Sequence, residues 1–84
     1  MEVQTVQFPN KKQLAMLRQK YPAGTTVQLI SMDDVQAPLV GTIGEVQFVD
    51  DIGNVHVKWQ NGSSLAVIPD VDSVAILNYP GSEK

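Results

Sequence analysis

Side chains that could carry out acid–base or nucleophilic catalysis are few in this chain, and none has the neighbours that such chemistry needs. His56 is the single histidine, and there is no cysteine. A general base requires a positioned partner, whereas His56 alternates with Val55 and Val57 in a pattern typical of a solvent-exposed strand position. Ser63 and Ser64 lack the Gly-x-Ser-x-Gly turn that exposes a nucleophilic serine. The sequence therefore predicts a protein that is not an enzyme.

Metal and phosphate sites are not predicted either. Without cysteine or a second histidine the chain has no ligand set for zinc. The aspartates lack the calcium-binding spacing with its terminal glutamate, and the glycines lack the spacing of a phosphate-binding loop. Turns explain both groups, which are Asp50, Asp51, Asp70 and Asp72, and Gly41, Gly44, Gly53 and Gly62. We therefore expect no cofactor and no metal ion.

Two neighbouring carboxylates, Asp33 and Asp34, lie in a long predicted loop. An acidic loop can bind a basic residue of a peptide, beside an aromatic platform that Trp59 or Tyr79 would supply. The same aspartates are typical of turns, and the strand phase that Trp59 shares with Val57 favours a place in the core. The sequence predicts a protein-binding surface formed by Asp33, Asp34, Trp59 and Tyr79, with turn and core roles as the alternatives.

A basic cluster near the N-terminus is the other candidate surface. It consists of Lys11, Lys12, Arg18 and Lys20. Such a cluster could contact the phosphates of a nucleic acid, but it is also typical of the solvated face of a helix. The net charge of −3 and the pI near 4.7 argue against a polyanionic partner. A nucleic-acid-binding accessory protein is therefore the alternative function.

A single helix is predicted to carry the basic cluster, over residues 10–21. Asn10 has the position of an N-cap, and Gln13 completes a capping box. The apolar stripe of the helix is Leu14, Leu17 and Tyr21. Pro22 ends the helix because it restricts the preceding residue to extended conformations. Residues 1–9 are predicted to be a flexible arm or an extra edge strand, which could pair with a second copy.

Alternating apolar residues predict five strands, near residues 25–32, 42–49, 54–60, 65–67 and 74–77. In the second strand Val46 and Phe48 are expected on one face. The pair Asn61-Gly62 predicts a type I′ hairpin turn, and Gly53 is expected in the left-handed position of a longer hairpin. A long loop from residue 33 to residue 41 joins the first two strands.

This order of elements predicts one mainly β domain, a small five-stranded SH3-like barrel over residues 22–79 followed by a tail at 80–84. An OB-like barrel is the runner-up, although that fold usually has longer strands. No segment reaches the ~20 apolar residues of a membrane span, and the N-terminus does not have the pattern of a signal peptide. Together with the absence of cysteine, these features favour a cytoplasmic protein.

Several stretches resemble the bacterial and phage family known as domain of unknown function 4314. They are YPAGT (21–25), LISMDD (29–34), QAP (36–38), GTIG (41–44), VDDIG (49–53), HVKW (56–59), NGSSL (61–65) and IP (68–69). Thr26 and Leu39-Val40 depart from the family pattern, and the helix lies outside the resemblance. Members occur in phages and mobile elements, with no activity attached to them.

The segment at residues 55–63 is also similar to the SH3-like domains of Mib/Herc2 type, which implies a protein-binding role. A shared fold does not by itself imply a shared function. We therefore expect a non-catalytic binding module for a protein or peptide partner, whose identity the sequence does not specify.

Overall fold

The computed structural model describes residues 9–81, which form one helix and one four-stranded antiparallel sheet. The elements are α1 (Lys11–Lys20), β1 (Thr26–Ser31), β2 (Ile43–Val49), β3 (Val55–Trp59) and β4 (Ser73–Asn78). The strands lie in the order β3-β2-β1-β4. A mainly β fold with one short helix is confirmed. The predictions for an N-terminal arm and for the end of the tail fall on residues 1–8 and 82–84, outside the described residues.

The predicted fourth strand, at residues 65–67, does not form, and the sheet is not the closed barrel that the sequence suggested. Only Val67 pairs with β3, through two hydrogen bonds with Val55 of 2.9 and 2.7 Å. The backbone groups of Leu65 bond to side chains and not to a neighbouring strand. Trp59 Nε1 donates to the Leu65 carbonyl at 3.0 Å, and Ser63 Oγ accepts the Leu65 N–H. Side chains thus replace the ladder that a further strand would need.

The turn at Asn61-Gly62 also differs from the prediction. A type I′ turn requires a positive φ at both Asn61 and Gly62. Gly62 has a positive φ of 93°, but no residue other than glycine has a positive φ among the described residues, so the prediction of a type I′ turn is wrong. The Gly62 N–H donates to the Trp59 carbonyl at 3.0 Å, and the Trp59 N–H donates to the Ser63 carbonyl at 2.9 Å. This is a three-residue loop that ends in a left-handed glycine.

A bulge in β2 moves Phe48 away from the core. The pairing with β3 shifts between Val46, which is opposite Val57, and Phe48, which is opposite His56. One extra residue in a strand reverses the faces of the residues that follow it. Val46 is therefore buried and Phe48 is exposed, and the prediction that both share one face is wrong.

Helix α1 packs on the sheet, as its apolar stripe requires. Both hydrogen bonds of the predicted capping box are present, at 2.8 and 3.0 Å between Asn10 and Gln13. Leu14 and Leu17 pack against the core, and Tyr21 is buried. The buried residues are Tyr21, Val27, Leu29, Val46, Val49, Val55, Val57, Trp59 and Val67. The predicted inward alternation of Val55, Val57 and Trp59 is thereby confirmed.

Candidate functional site

The loop between β1 and β2 begins with the two predicted site aspartates, and Asp34 builds a turn. Its Oδ1 accepts the Gln36 N–H at 2.7 Å, and its carbonyl accepts the Ala37 N–H at 3.0 Å. Asp33 is exposed, and its N–H donates to Asp72 Oδ1 at 3.1 Å. The turn role that the sequence allowed for Asp34 is therefore present, while the binding role of both carboxylates stays a prediction.

The far end of the same loop is held against β1. The Thr42 N–H and Oγ1 both donate to the Leu39 carbonyl, at 3.0 and 2.6 Å. The Gly41 N–H donates to the Leu29 carbonyl at 2.7 Å. Pro38 is buried in the middle of the loop. The loop is thus fixed at both ends and at its centre.

Three aliphatic side chains nevertheless point into solvent from this fixed loop. Val35, Leu39 and Val40 are 103%, 83% and 72% exposed, and we call them the aliphatic loop patch. Sequence reasoning concentrated on the neighbouring aspartates and missed it. The available signal was a set of aliphatic residues beside a proline, outside any strand or helix periodicity.

Trp59 is a core residue and not part of a binding surface. It is only 1% exposed, and its indole N–H is already used by the Leu65 carbonyl. A buried indole with a satisfied N–H offers no platform to a partner. The core alternative for Trp59 is confirmed, and its place in the predicted protein-binding surface is wrong.

Tyr79 is exposed, but the structure does not bring it to the acidic loop. In the antiparallel pair of β1 and β4, Thr26 is opposite Asn78 and Ser31 is opposite Ser73. Tyr79 therefore follows one end of the ladder, whereas Asp33 follows the other. A strand of six residues separates them, which corresponds to roughly 17 Å at 3.3 Å per residue.

Asp72 is the buried carboxylate that sequence reasoning assigned only to a turn. Its Oδ1 accepts the Asp33 N–H at 3.1 Å, and its Oδ2 accepts the Ile68 N–H at 2.9 Å. The two bonds join the start of the long loop to the segment before β4. Asp72 is therefore a positioning residue for both segments.

A second carboxylate, Asp50, organises the turn between β2 and β3. Its Oδ1 accepts the N–H groups of Ile52 and Asn54, at 3.1 and 2.9 Å, and its Oδ2 lies 2.8 Å from His56 Nε2. Burial acts to raise the pKa of Asp50, but the bonds from His56, Asn54 and Ile52 and the charge of His56 together lower it below its ordinary value. The carboxylate is thus held in its ionised form by the turn that it closes.

His56 is held more firmly than a freely solvated strand residue. Its ring stacks on Phe48 with 4.3 Å between the ring centroids, and its side chain is 34% exposed. The expectation of a simple solvent-exposed position is therefore corrected to a half-buried one. Within residues 9–81, no group of three or more potential ligands could hold a metal ion.

The basic cluster on α1 is divided between two uses. Arg18 Nη2 donates to the Val49 carbonyl at 3.1 Å and to Asp51 Oδ1 at 2.9 Å, so it fastens the helix to the end of β2. Lys20 Nζ lies 5.4 Å from the centroid of the Tyr21 ring. The remaining members, Lys11 and Lys12, are exposed. Of the four residues predicted to contact phosphates, Arg18 is therefore already bonded within the protein.

The chain belongs to a family of domains of unknown function, DUF4314. The family model matches residues 10–77, which include α1 and all four strands. The helix is thus part of the family domain, although the sequence resemblance was placed only after it. Comparisons with curated proteins and with solved structures gave no significant match. The part of the chain that the structure describes contains no helix long and apolar enough to cross a membrane.

Proposed function

We propose that this protein is a non-catalytic protein-binding module and that its contact surface is the aliphatic loop patch. The single observation that carries the proposal is the exposure of Val35, Leu39 and Val40 on a loop that is otherwise pinned by hydrogen bonds. Clusters of exposed apolar side chains are typical of interaction sites. The function is thus assigned to a different part of the loop from its two aspartates.

The energetic argument rests on burial and on the rigidity of the loop. Full burial of a valine or leucine side chain contributes about 1.5–3 kcal/mol, so three such side chains can supply the centre of an interface. The turn at Asp34 and the bonds of Thr42 hold the loop before any partner arrives. Little conformational entropy is then lost on binding.

The chemistry of the partner follows from what surrounds the aliphatic loop patch. The partner presents an apolar pocket, because the patch is a projection and not a cavity. Asp33, at the start of the loop, has an exposed carboxylate. A basic residue beside the partner's pocket would pair with it and add on-rate and specificity more than affinity.

An SH3-like architecture is the finer form of the fold that we propose. It is supported by the position of β1 between β2 and β4 and by the bridge at Val67, which lies where a further strand would pair with β3. We further propose a cytoplasmic location and an origin in a phage or mobile element. These three points extend the family membership and are not required for the binding role.

The binding role is tested by affinity capture from a lysate of the source organism with matched variants. A triple variant carrying Val35→Ser, Leu39→Ser and Val40→Ser removes the aliphatic loop patch. Leu77→Ser serves as the control, because Leu77 is another exposed aliphatic residue but lies on β4. Circular dichroism checks that both variants are folded.

The expected result is a protein that the wild type and the Leu77→Ser variant retain and that the triple variant loses. Proteins held equally by all three would reject the aliphatic loop patch as the contact surface. No protein retained above a blank resin would reject the binding role itself under these conditions.

A further inference from the structure

The loop that follows β3 carries an asparagine whose neighbour in the chain is a glycine. The sequence has four asparagines, and Asn61 alone precedes a glycine. The residues after the other three are Lys11, Val55 and Tyr79. Asn61 and Gly62 are both exposed. Asparagine is among the thermally labile residues of proteins, and a glycine after it leaves the backbone open to close approach.

The side chain of Asn61 is folded back along its own backbone. Asn61 Oδ1 accepts the Ser63 N–H at 3.0 Å, and this bond closes a small ring that contains both Asn61 Cγ and the backbone nitrogen of Gly62. An asparagine that bonds the backbone two residues further on is common in turns. Here the bond keeps the amide carbon near the next backbone nitrogen, which is the group that can attack it.

The Ser63 N–H also lies where negative charge develops during such an attack. A nucleophile that adds to Asn61 Cγ converts the amide oxygen into an oxyanion, and a donor already bonded to that oxygen stabilises the charge. The hydrogen bond therefore has both a positioning and an electrostatic effect.

Space around Gly62 allows the loop to rearrange for the attack. A Cβ atom added at Gly62 would meet no atom within 4 Å. The Gly62 N–H donates to the Trp59 carbonyl at 3.0 Å, so this bond must open before the proton leaves. A single backbone bond at an exposed loop tip opens far more often than the whole domain unfolds. The reaction is therefore open to the native protein.

We propose that Asn61 deamidates in the folded protein, with the Gly62 nitrogen as the nucleophile and water as the co-reactant. Hydroxide removes the proton of the Gly62 N–H, and the nitrogen forms a bond to Asn61 Cγ. The Cγ–Nδ2 bond breaks, and the leaving nitrogen takes a proton from water and departs as ammonia. Water then opens the cyclic imide at either carbonyl carbon, which gives aspartate or isoaspartate at this position.

The two products differ in their effect on the fold. Both add a negative charge to a chain whose net charge is −3. Isoaspartate also lengthens the main chain by a carbon atom, inside the loop where the Trp59 N–H donates to the Ser63 carbonyl at 2.9 Å. Trp59 is a core residue, so the isoaspartate form is expected to be less stable than the aspartate form. The modification does not depend on the function proposed above.

Incubation of the full-length wild type at mildly alkaline pH, in native buffer and in urea, tests the site. Isoelectric focusing follows the change in charge, and mass spectrometry of proteolytic peptides assigns the position and separates aspartate from isoaspartate. Gly62→Ala hinders the attack with a side chain, and Asn61→Gln lengthens the side chain so that the same imide ring cannot form. Asn61→Asp supplies the charge without the longer main chain. Asn10 and Asn54 are references within the same molecule.

We expect an acidic shift of the native wild type that maps to Asn61 and leaves Asn10 and Asn54 unchanged. Gly62→Ala should slow the shift on the order of tenfold or more, and Asn61→Gln should abolish it. The isoaspartate fraction should unfold at a lower urea concentration than Asn61→Asp. Absence of the shift from native buffer, whether or not it occurs in urea, would overturn the proposal, because the fold would then protect the site. Equal conversion of Asn54 would overturn the role assigned to Gly62.

Discussion

Asp50 and Asp72 each accept two backbone N–H groups with their carboxylates, whereas the carboxylate of Asp34 accepts one. Asp50 closes the turn after β2, and Asp72 joins two segments that are far apart in sequence. Both were expected only as generic turn residues. A sequence pattern indicates that an aspartate favours a turn, but it does not indicate which distant N–H the second oxygen will accept.

Asp50→Asn is expected to lower the free energy of unfolding by about 1–2 kcal/mol near neutral pH, because it weakens the bonds to Ile52, Asn54 and His56. The pKa of Asp50 is lowered in the folded protein, so its contribution is fully present above the ordinary pKa of 3.8. It is lost as the pH falls through the lowered value.

Urea unfolding of the wild type and the Asp50→Asn variant measures the effect at neutral pH and at a pH well below the ordinary pKa of 3.8. The difference between the two proteins should shrink on acidification. Asp70→Asn is the control, because Asp70 is exposed. A pH-independent difference for Asp50→Asn would show that the charge of the carboxylate does not contribute.

Among the elements, the turn after β2 depends on a glycine whose conformation and space are both required. Gly53→Ala is expected to destabilise the fold by about 1–3 kcal/mol for its backbone strain, and further through the contact with Pro9. Gly62→Ala is the matched control, because Gly62 has a similar φ of 93° but no atom within 4 Å of an added Cβ.

Thermal unfolding of the two alanine variants separates strain from crowding. Gly53→Ala should have the lower midpoint, and the gap between the two variants reports the crowding of the added Cβ against Pro9 and Leu17. Equal midpoints would mean that Pro9 and Leu17 move away from the turn at no cost.

Helix α1 is attached to the end of β2 through the side chain of Arg18. Arg18→Met is expected to raise the hydrogen-exchange rate of the α1 amides, because it removes the bonds to Val49 and Asp51. Lys12→Met provides the comparison for a loss of charge without a lost contact, since Lys12 is exposed. Unchanged exchange in Arg18→Met would indicate that Leu14 and Leu17 hold the helix on their own.

Local patterns predicted the elements, whereas non-local contacts decided the departures. The capping box of Asn10 and Gln13 depends on neighbours three residues apart, and it formed as expected. The bulge that exposes Phe48 depends on the pairing of β2 with β3, and the indole of Trp59 bonds the Leu65 carbonyl where the predicted fourth strand does not form. Periodicity along one strand carries no information about either.

The candidate site was less predictable than the fold. Asp33 and Tyr79 are at opposite ends of the β1–β4 ladder, and sequence separation alone does not reveal such a distance. The exposure of Val35 and Leu39 was hidden for a different reason. Apolar residues are expected in the core. Only the path of the loop shows that the side chains of Val35 and Leu39 lie in solvent.

At the scale of the whole molecule, the net charge favours a protein partner over the nucleic-acid partner that the sequence also allowed. The net charge of −3 and the engagement of Arg18 by Asp51 disfavour phosphate binding. We expect no retardation of single- or double-stranded DNA or RNA in a gel-shift experiment near 50 mM salt, where phosphate contacts are strong. Retardation that Lys11→Ala and Lys12→Ala abolish would instead support the nucleic-acid alternative.

The carboxylate of Asp72 also has a consequence for local unfolding. One of its oxygens holds the residue that opens the long loop, and the other holds Ile68, in the segment before β4. Loss of this single side chain would therefore release both segments at once. The opening of the loop and the backbone near Ile68 are thus expected to belong to one cooperative unit, with amide protons that begin to exchange together.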